Sequence, residues 1–382
     1  MKKQQAVFAG AVVVSTWCVA GIAADEVALP ALKDNTLYED KNGQLSNGMG
    51  DFFFTGKTQQ GPGIDRRRGL LAFDLSAIPA GSVITSAVLH LECSMVHPGS
   101  PPHDVSLHRA LADWGEGNSD AFGNEGIGDG AQAGDATWLH TFYDTQFWAN
   151  VGGDFAATPS ATTVVSTVGP YSWGPTAEMA ADVQHWMDNP SENFGWVVVG
   201  DESTPGSAKR FNSLQNPLTS QRPRLVVNFD PPAALTDVAV QFGTYISGNT
   251  NSLRNSDDQY YVVRSQFGFA ANERNITEIR VGFIAGSSGP TMRVTFEGKL
   301  DHPAGSARVF ARDWSNGSNG QIGAFPINQT EMTHVIDNVS TTNRIRFNDQ
   351  RIEISVRNST LSTFTVVGFL SSTDMLRVNV QP

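Results

Sequence analysis

The stretch Val88-Leu89-His90-Leu91-Glu92-Cys93 alternates apolar and polar side chains, and this pattern decides the fold class. Successive side chains of a β-strand point to opposite faces, so a two-residue period predicts a strand with one face buried and the other in solvent. Similar strand-like runs, bounded by turn residues, recur along the chain. Examples are residues 68–75, 82–93, 104–110, 195–200, 223–230, 277–284, 292–297 and 351–356. The chain is therefore predicted to be all-β.

One segment departs from the strand pattern and indicates a helix. Its apolar side chains recur at three- and four-residue spacing, which places them on one helical face. They are Met179, Val183, Trp186 and Met187. Asn189-Pro190 ends the pattern, because proline cannot continue a helix. We predict a short helix over about residues 176–188 that caps one end or face of a β-sandwich.

A break in the pattern divides the chain into two strand-rich regions. Pro231 and Pro232 follow a strongly β-branched run, and neither proline can donate a backbone hydrogen bond to continue a strand. We predict two β-sandwich, jelly-roll-like domains in tandem, with the short helix in the first. Their predicted bounds are residues 25–230 and residues 236–382, joined by a proline-rich linker at 231–235.

Residues 1–24 have the order of features found in a secretory signal peptide. Lys2 and Lys3 precede an apolar run over residues 6–20, and small residues lead to Asp25. We expect cleavage after Ala23 or Ala24 and an extracellular or cell-surface location. No later apolar stretch is long enough to span a membrane. Cleavage would leave Cys93 as the single cysteine, so we expect no internal disulfide and a cysteine that packs as a small apolar side chain.

The charge balance excludes one large class of partners. The chain has 38 acidic and 26 basic residues, a net charge of −12. Removal of Lys2 and Lys3 with the signal leaves 24 basic residues, and 38 against 24 gives −14. A chain this acidic repels phosphate backbones, and no basic stripe with interleaved aromatic residues is present, so we expect no nucleic-acid partner.

Several segments of the first region, in the same order along the chain, resemble one known family. They are Asp34-Asn35-Thr36-Leu37-Tyr38, Arg68-Gly69-Leu70-Leu71-Ala72-Phe73-Asp74-Leu75, Asn193-Phe194-Gly195-Trp196, Phe211-Asn212-Ser213 and Arg222-Pro223-Arg224-Leu225. Residues 34–230 thereby resemble the DNRLRE domain, a disaggregatase-related β-sandwich grouped with carbohydrate-binding modules. The resemblance implies a secreted or cell-surface bacterial protein that binds polysaccharide, including acidic glycans. The chain departs from the family at Gln215, where an acidic residue is expected after the Phe-x-Ser step.

Two sets of residues are the candidate ligand contacts. Trp114, Trp138 and Trp148 lie outside the alternating strands, where exposed indole rings could stack on the apolar face of a sugar. Their alternative role is ordinary packing in a core. Arg66 and Arg67 could pair with uronate or sulfate groups, since guanidinium matches carboxylate through two parallel hydrogen bonds.

The glycine-rich segment over residues 113–148 is the candidate metal site. Long loops in compact domains are functional or disordered, and carboxylates spaced along a flexible loop can wrap a hard cation. Glu116, Asp120 and Asp129 are the expected ligands of a structural calcium ion (Ca²⁺). The alternative is a solvated acidic loop without a metal.

Motifs for catalysis are missing from the chain, so no catalytic residue is assigned. There is no Gly-x-Ser-x-Gly, His-Glu-x-x-His, Walker or Cys-x-x-Cys pattern. The first hypothesis is a secreted, non-catalytic protein that binds extracellular or cell-wall polysaccharide. Two alternatives remain open: a structural cell-surface spacer, and a polysaccharide lyase or hydrolase. A lyase could use His140 with Tyr143 as the base that removes a proton from a uronate.

Overall fold

The computed structural model describes residues 25–270, 273–360 and 368–381. The predicted signal peptide, residues 1–24, lies outside this part. The fold is all-β, with two β-sandwiches in tandem, as the alternating pattern predicts. The described residues contain one α-helix, α1 (Ala177–Asp188). None of the described helical structure is long and apolar enough to cross a membrane.

The first sandwich is built from fourteen strands. They are β1 (Asp25–Tyr38), β2 (Leu45–Ser46), β3 (Phe52–Lys57), β4 (Arg66–Phe73), β5 (Val83–Val96), β6 (His103–Arg109), β7 (Asp129–Gly130), β8 (His140–Phe142), β9 (Gln146–Phe147), β10 (Ala161–Val165), β11 (Gly169–Trp173), β12 (Trp196–Val199), β13 (Lys209–Asn212) and β14 (Arg224–Asp230). One layer contains β1, β14, β5 and β11 in that order. In the same layer, β13 pairs with the last residues of β5, and β3 pairs with β13. The other layer contains β4, β12, β6 and β10.

Strand β1 belongs to both layers of this sandwich. Its first half pairs with β14, and its second half pairs with β4. A register shift between Ala31 and Lys33 marks the crossing, since a bulge bends a strand and increases its twist. The core between the layers is formed by inward-facing residues of the alternating strands, including Leu89, Leu91 and Cys93 of β5. Cys93 is thus a buried, unpaired cysteine, as expected.

Helix α1 closes one end of this core and confirms the helix prediction. The Thr176 side chain caps the helix by accepting the Met179 N–H (3.1 Å). Met179, Val183 and Trp186 are buried in the core between the layers. The three- and four-residue spacing of these apolar side chains therefore predicts both the helix and the face that packs against the core.

The second sandwich is built from eleven strands. They are β15 (Ala234–Phe242), β16 (Thr244–Ser247), β17 (Tyr261–Arg264), β18 (Gln266–Ala270), β19 (Glu273–Ile284), β20 (Thr291–Leu300), β21 (Gly305–Arg312), β22 (Asn319–Ile327), β23 (Met332–Ser340), β24 (Arg351–Thr360) and β25 (Leu370–Gln381). One sheet has the order β15-β19-β24-β21-β22, with β18 on β19, and the other has the order β16-β17-β25-β20-β23. Val281 and Ile354 of the first sheet face Val294 and Phe296 of the second across the core.

The segment between the two sandwiches is held by the second one. The Ala233 N–H donates to the Val378 carbonyl (2.6 Å). The Asn379 side chain donates to the backbone carbonyls of Gly81 (3.0 Å) and Asp230 (3.1 Å). These contacts tie the last strand of the chain to the end of the first sandwich.

Candidate functional site

The three tryptophans expected to face a ligand are buried. Trp114, Trp138 and Trp148 are 0%, 4% and 5% exposed. The Trp114 indole N–H donates to the Phe194 carbonyl (2.8 Å). The Trp148 indole N–H donates to the Thr137 carbonyl (2.9 Å). The expectation of an exposed aromatic platform is wrong, because residues 113–148 fold over the outer face of β4 and β12 and form a second core there.

The arginines expected to pair with a glycan are used inside the protein. Arg67 is 1% exposed, and its guanidinium donates to the Gly126 carbonyl (3.1 Å). Arg66 donates to the Glu39 carboxylate (2.9 Å), and its guanidinium lies over the Trp138 ring (5.2 Å to the centroid). Arg67 is therefore not a ligand contact, since a buried guanidinium requires acceptors from the protein itself. Arg66 is partly exposed but already has a carboxylate partner.

The structure does not bring together the ligands predicted for calcium. Glu116 accepts the backbone N–H of Asp34 (3.1 Å) and the side-chain amide of Gln215 (3.0 Å). Asp120 and Asp129 are exposed elsewhere on the segment. In the described ranges, the one group of three acidic, histidine or cysteine side chains close enough to share an ion lies in the second sandwich. The Glu116 carboxylate instead links its own loop, through hydrogen bonds, to Asp34 and Gln215, which are far from it in the sequence.

The histidine considered for a lyase is part of the packed segment. His140 is buried, and its ring meets the Tyr143 ring edge-on at 5.1 Å. Its Nδ1 atom is hydrogen-bonded to the Thr137 hydroxyl (2.9 Å). The two residues are neighbours in space, but this histidine has no open face toward a polymer.

An open groove of about 720 Å³ crosses the outer face of strands β1, β14, β5 and β11. Its position follows from the alternation in β5, where Leu89 and Leu91 enter the core and His90 and Glu92 point to the opposite face. The segment over residues 219–223 forms one wall. The ionisable residues that line the groove are His90, Glu92, Tyr171, Arg222 and Arg224.

Tyr171 is a half-buried residue at the groove whose side chain packs against the core, as does that of its cross-strand partner Leu91. Its hydroxyl accepts the backbone N–H groups of Ser166 (3.1 Å) and Thr167 (3.0 Å) and donates to the Thr167 carbonyl (3.0 Å). Three hydrogen bonds at the far end of the side chain hold the ring against β5.

The charged side chains give the groove a net positive charge in an acidic chain. Arg222 is anchored through a hydrogen bond to the Asn216 carbonyl (2.7 Å). In the described part of the chain, the side chains of Arg224 and Glu92 make no hydrogen bond or ion pair. Burial and the nearby Arg224 lower the pKa of His90, so this imidazole is neutral at pH 7. The groove thus has two guanidiniums and one carboxylate among its lining side chains.

The groove residues were not among the candidates from the sequence, although part of their signal was visible. His90 and Glu92 are the polar members of the alternating stretch that predicts the fold, so their outward direction follows from the pattern. The predicted strand over residues 223–230 likewise turns Arg224 outward. The pattern does not indicate that β1, β14, β5 and β11 are adjacent, and only that adjacency makes the groove.

Comparisons with known proteins assign no family to this chain. No protein-family model matches this chain, and no curated protein matches it. Among solved structures, it is similar to the carbohydrate-binding module TmCBM61 in complex with beta-1,4-galactotriose, with 11% identity, a TM-score of 0.24, and coverage of 39% of this chain and 92% of that one. A family 29 carbohydrate-binding module has 9% identity and a TM-score of 0.19, covering 38% of this chain and 89% of its own. Allantoicase has 10% identity and a TM-score of 0.24, covering 85% of this chain and 80% of its own.

Proposed function

We propose that the protein is a secreted, non-catalytic binder of extracellular or cell-wall polysaccharide, and that acidic glycans are its preferred ligands. The proposed contact surface is the groove across β1, β14, β5 and β11. The observation that carries the proposal is the combination, in one open groove of an acidic chain, of two guanidiniums with an imidazole and a carboxylate.

Each part of this groove suits one feature of an acidic sugar polymer. Pro30 and Pro170 are exposed in the groove and offer apolar surface to the C–H groups on one face of a sugar ring. Arg222 and Arg224 can donate paired hydrogen bonds to a uronate carboxylate or a sulfate. Glu92 can accept hydrogen bonds from sugar hydroxyls. An open groove also suits a long polymer, which has to enter from the side.

Two features of the sequence support the location and the ligand class. The order of basic, apolar and small residues over 1–24 predicts export, which would place the groove where polysaccharides are found. The resemblance of residues 34–230 to the DNRLRE domain points to the same class of ligand. The absence of a known catalytic motif favours binding over turnover.

Replacing Arg224 with alanine is expected to weaken retention by uronic-acid polysaccharides. Arg224 is exposed and makes no internal hydrogen bond in the described structure, so its removal should leave the fold intact. Loss of a hydrogen bond to a charged group costs about 1.5–3 kcal/mol, which corresponds to roughly tenfold or more in Kd. Affinity gel electrophoresis against a panel of uronic-acid and neutral polysaccharides measures the change.

A matched control is available in the second sandwich. Arg264 of β17 is also an exposed strand arginine, and Arg264→Ala should migrate as the wild-type protein does. Equal retention of Arg224→Ala and wild type would show that the groove is not the contact surface. Absence of retention on every polysaccharide would favour the spacer alternative, and new reducing ends or unsaturated products would favour an enzyme.

A further inference from the structure

Three carboxylates from distant parts of the second sandwich meet at one point. Glu297 lies on β20, Glu331 lies just before β23, and Asp374 lies on β25. One carboxylate oxygen from each residue lies within 4.8 Å of one from each of the others. Strands β25, β20 and β23 are neighbours in their sheet, so the cluster crosses three adjacent strands.

In each carboxylate, one oxygen has a protein donor and the other has none. The Asp374 Oδ2 atom accepts the backbone N–H groups of Asp257 (3.1 Å) and Asp258 (3.2 Å). The Thr333 hydroxyl donates to Glu297 Oε1 (3.1 Å). The Tyr260 hydroxyl shares its single proton between Glu331 Oε2 (3.0 Å) and Asp258 Oδ1 (2.5 Å). Asp374 Oδ1, Glu297 Oε2 and Glu331 Oε1 are buried without a hydrogen-bond partner.

Two of the three unpartnered oxygens belong to buried side chains, and the third belongs to Glu331, which is partly buried. Asp374 is 1% exposed and Glu297 is 9% exposed. A buried polar atom without a partner carries a desolvation cost, so native proteins rarely leave several together. Three adjacent carboxylates that each carry such an oxygen are an arrangement that a cation would satisfy.

A local irregularity in the sheet directs Asp374 to this point. Glu297 pairs with Met375 and Gly298 pairs with Thr373, so Asp374 is the extra residue of a β-bulge. Bulges change the direction of a side chain relative to the regular alternation of the strand. The sheet thereby presents Asp374 beside Glu297 on the face opposite the core residue Phe296.

Within the described structure, no side chain forms an ion pair with any of the three carboxylates, although the charge of Lys299 acts on Glu331. Lys299 is the nearby amine, but it donates to the Tyr260 hydroxyl (2.6 Å) and lies over that ring. Three carboxylate groups held this close together repel one another, and a bound cation would offset that repulsion.

We propose that Glu297, Glu331 and Asp374 bind a calcium ion in the second sandwich. The donors are all oxygen, which favours a hard cation over zinc. Oxygens on one calcium ion lie at most about 5 Å apart, because each is about 2.3–2.6 Å from the metal, and the observed spacing fits within this limit. The ion would link β25, β20 and β23 and, through Asp374, the turn that contains Asp257 and Asp258.

Calcium titration of the full secreted chain, after dialysis against EDTA, tests the proposal by isothermal titration calorimetry. Wild type is expected to bind one calcium ion at this site and to unfold at a higher temperature with calcium than with EDTA. Asp374→Asn should weaken calcium binding by about tenfold or more, because it removes one ligand charge. Glu331→Gln, at the more exposed edge of the cluster, should weaken binding as well and provides the test if Asp374→Asn does not fold.

The exposed Asp120 of the first sandwich supplies the matched control. Asp120→Asn removes one carboxylate charge from a surface segment and should bind calcium as wild type does. Wild-type affinity in both cluster variants, or no calcium binding by wild type at millimolar calcium, overturns the site. Tighter binding of magnesium than of calcium overturns the choice of ion. The site is independent of the polysaccharide groove, so glycan retention by Glu331→Gln should be unchanged.

Discussion

Replacing Trp114 with alanine is expected to unfold the first sandwich at much lower denaturant, instead of weakening ligand binding selectively. Trp114 has no exposed surface and packs with Leu70 and Val197 on the outer face of the sheet. Truncation of a fully buried tryptophan costs about 3–5 kcal/mol through lost contacts and the cavity that remains. The Phe194 carbonyl also loses its donor, which adds roughly 1 kcal/mol or more.

This loss is a large share of the total free energy of unfolding of a domain. Globular domains are stable by about 5–15 kcal/mol in total, so Trp114→Ala should bring the first sandwich close to its unfolding threshold. Lys33 adds to the effect, because its ammonium lies 4.2 Å from the centre of the indole ring and would lose that contact. Urea unfolding followed by far-UV circular dichroism measures the shift without depending on the fluorescence of the removed indole.

An exposed aromatic residue of the same segment is the control. Phe122 is 101% exposed, so Phe122→Ala should leave the unfolding midpoint unchanged. A wild-type midpoint for Trp114→Ala, combined with reduced polysaccharide retention, would instead restore this tryptophan as a ligand contact. The two outcomes separate a packing role from a binding role.

The fold could be predicted from the sequence because its signals are local. The alternation around Leu89 and Leu91 gives a strand and its buried face, and the spacing of Met179, Val183 and Trp186 gives α1 and its packed face. Neighbours along the chain decide these patterns. Two prolines after Asp230 likewise mark the place where one set of sheets ends and the next begins.

The sites could not be predicted in this way, because they depend on which strands become neighbours. Trp114 and Trp138 lie in a loop, but this loop covers a sheet whose outer face is itself apolar. Leu70 and Val197 lie on that face and pack against the loop. Glu297 and Asp374 lie far apart in the sequence and meet only through strand pairing and a bulge. Residue type identifies possible ligands, whereas topology determines which of them meet.

Asp34 is a buried acid at the start of the segment that resembles the DNRLRE domain. It is fully buried; its Oδ2 atom accepts the Leu214 N–H (2.6 Å), and its Oδ1 atom has no partner. Burial raises the pKa of Asp34 to about 8, and the nearby carboxylates of Glu116 and Glu125 add to the rise, although the Leu214 hydrogen bond opposes it. The folded protein therefore holds a proton here near neutral pH.

We expect this carboxyl to make the first sandwich lose stability as the pH rises from about 4 to about 8. Asp34 in the unfolded chain releases its proton near pH 3.8, whereas in the folded chain it does so near pH 8. Between these values the unfolded state binds fewer protons, so each pH unit favours unfolding by about 1.4 kcal/mol. The contribution is fully present below the lower value and is lost above the higher one.

Asp34→Asn should remove this dependence, because the amide keeps the size of the side chain and an acceptor for the Leu214 N–H but cannot ionise. Urea unfolding at several values between about pH 5 and about pH 8 should show the variant gaining several kcal/mol relative to wild type as the pH rises. Asp104→Asn, at an exposed position of β6, should follow the wild-type curve. Parallel curves for wild type and Asp34→Asn would mean that Asp34 is ionised in the folded protein, and that its unpartnered oxygen has a counter-charge.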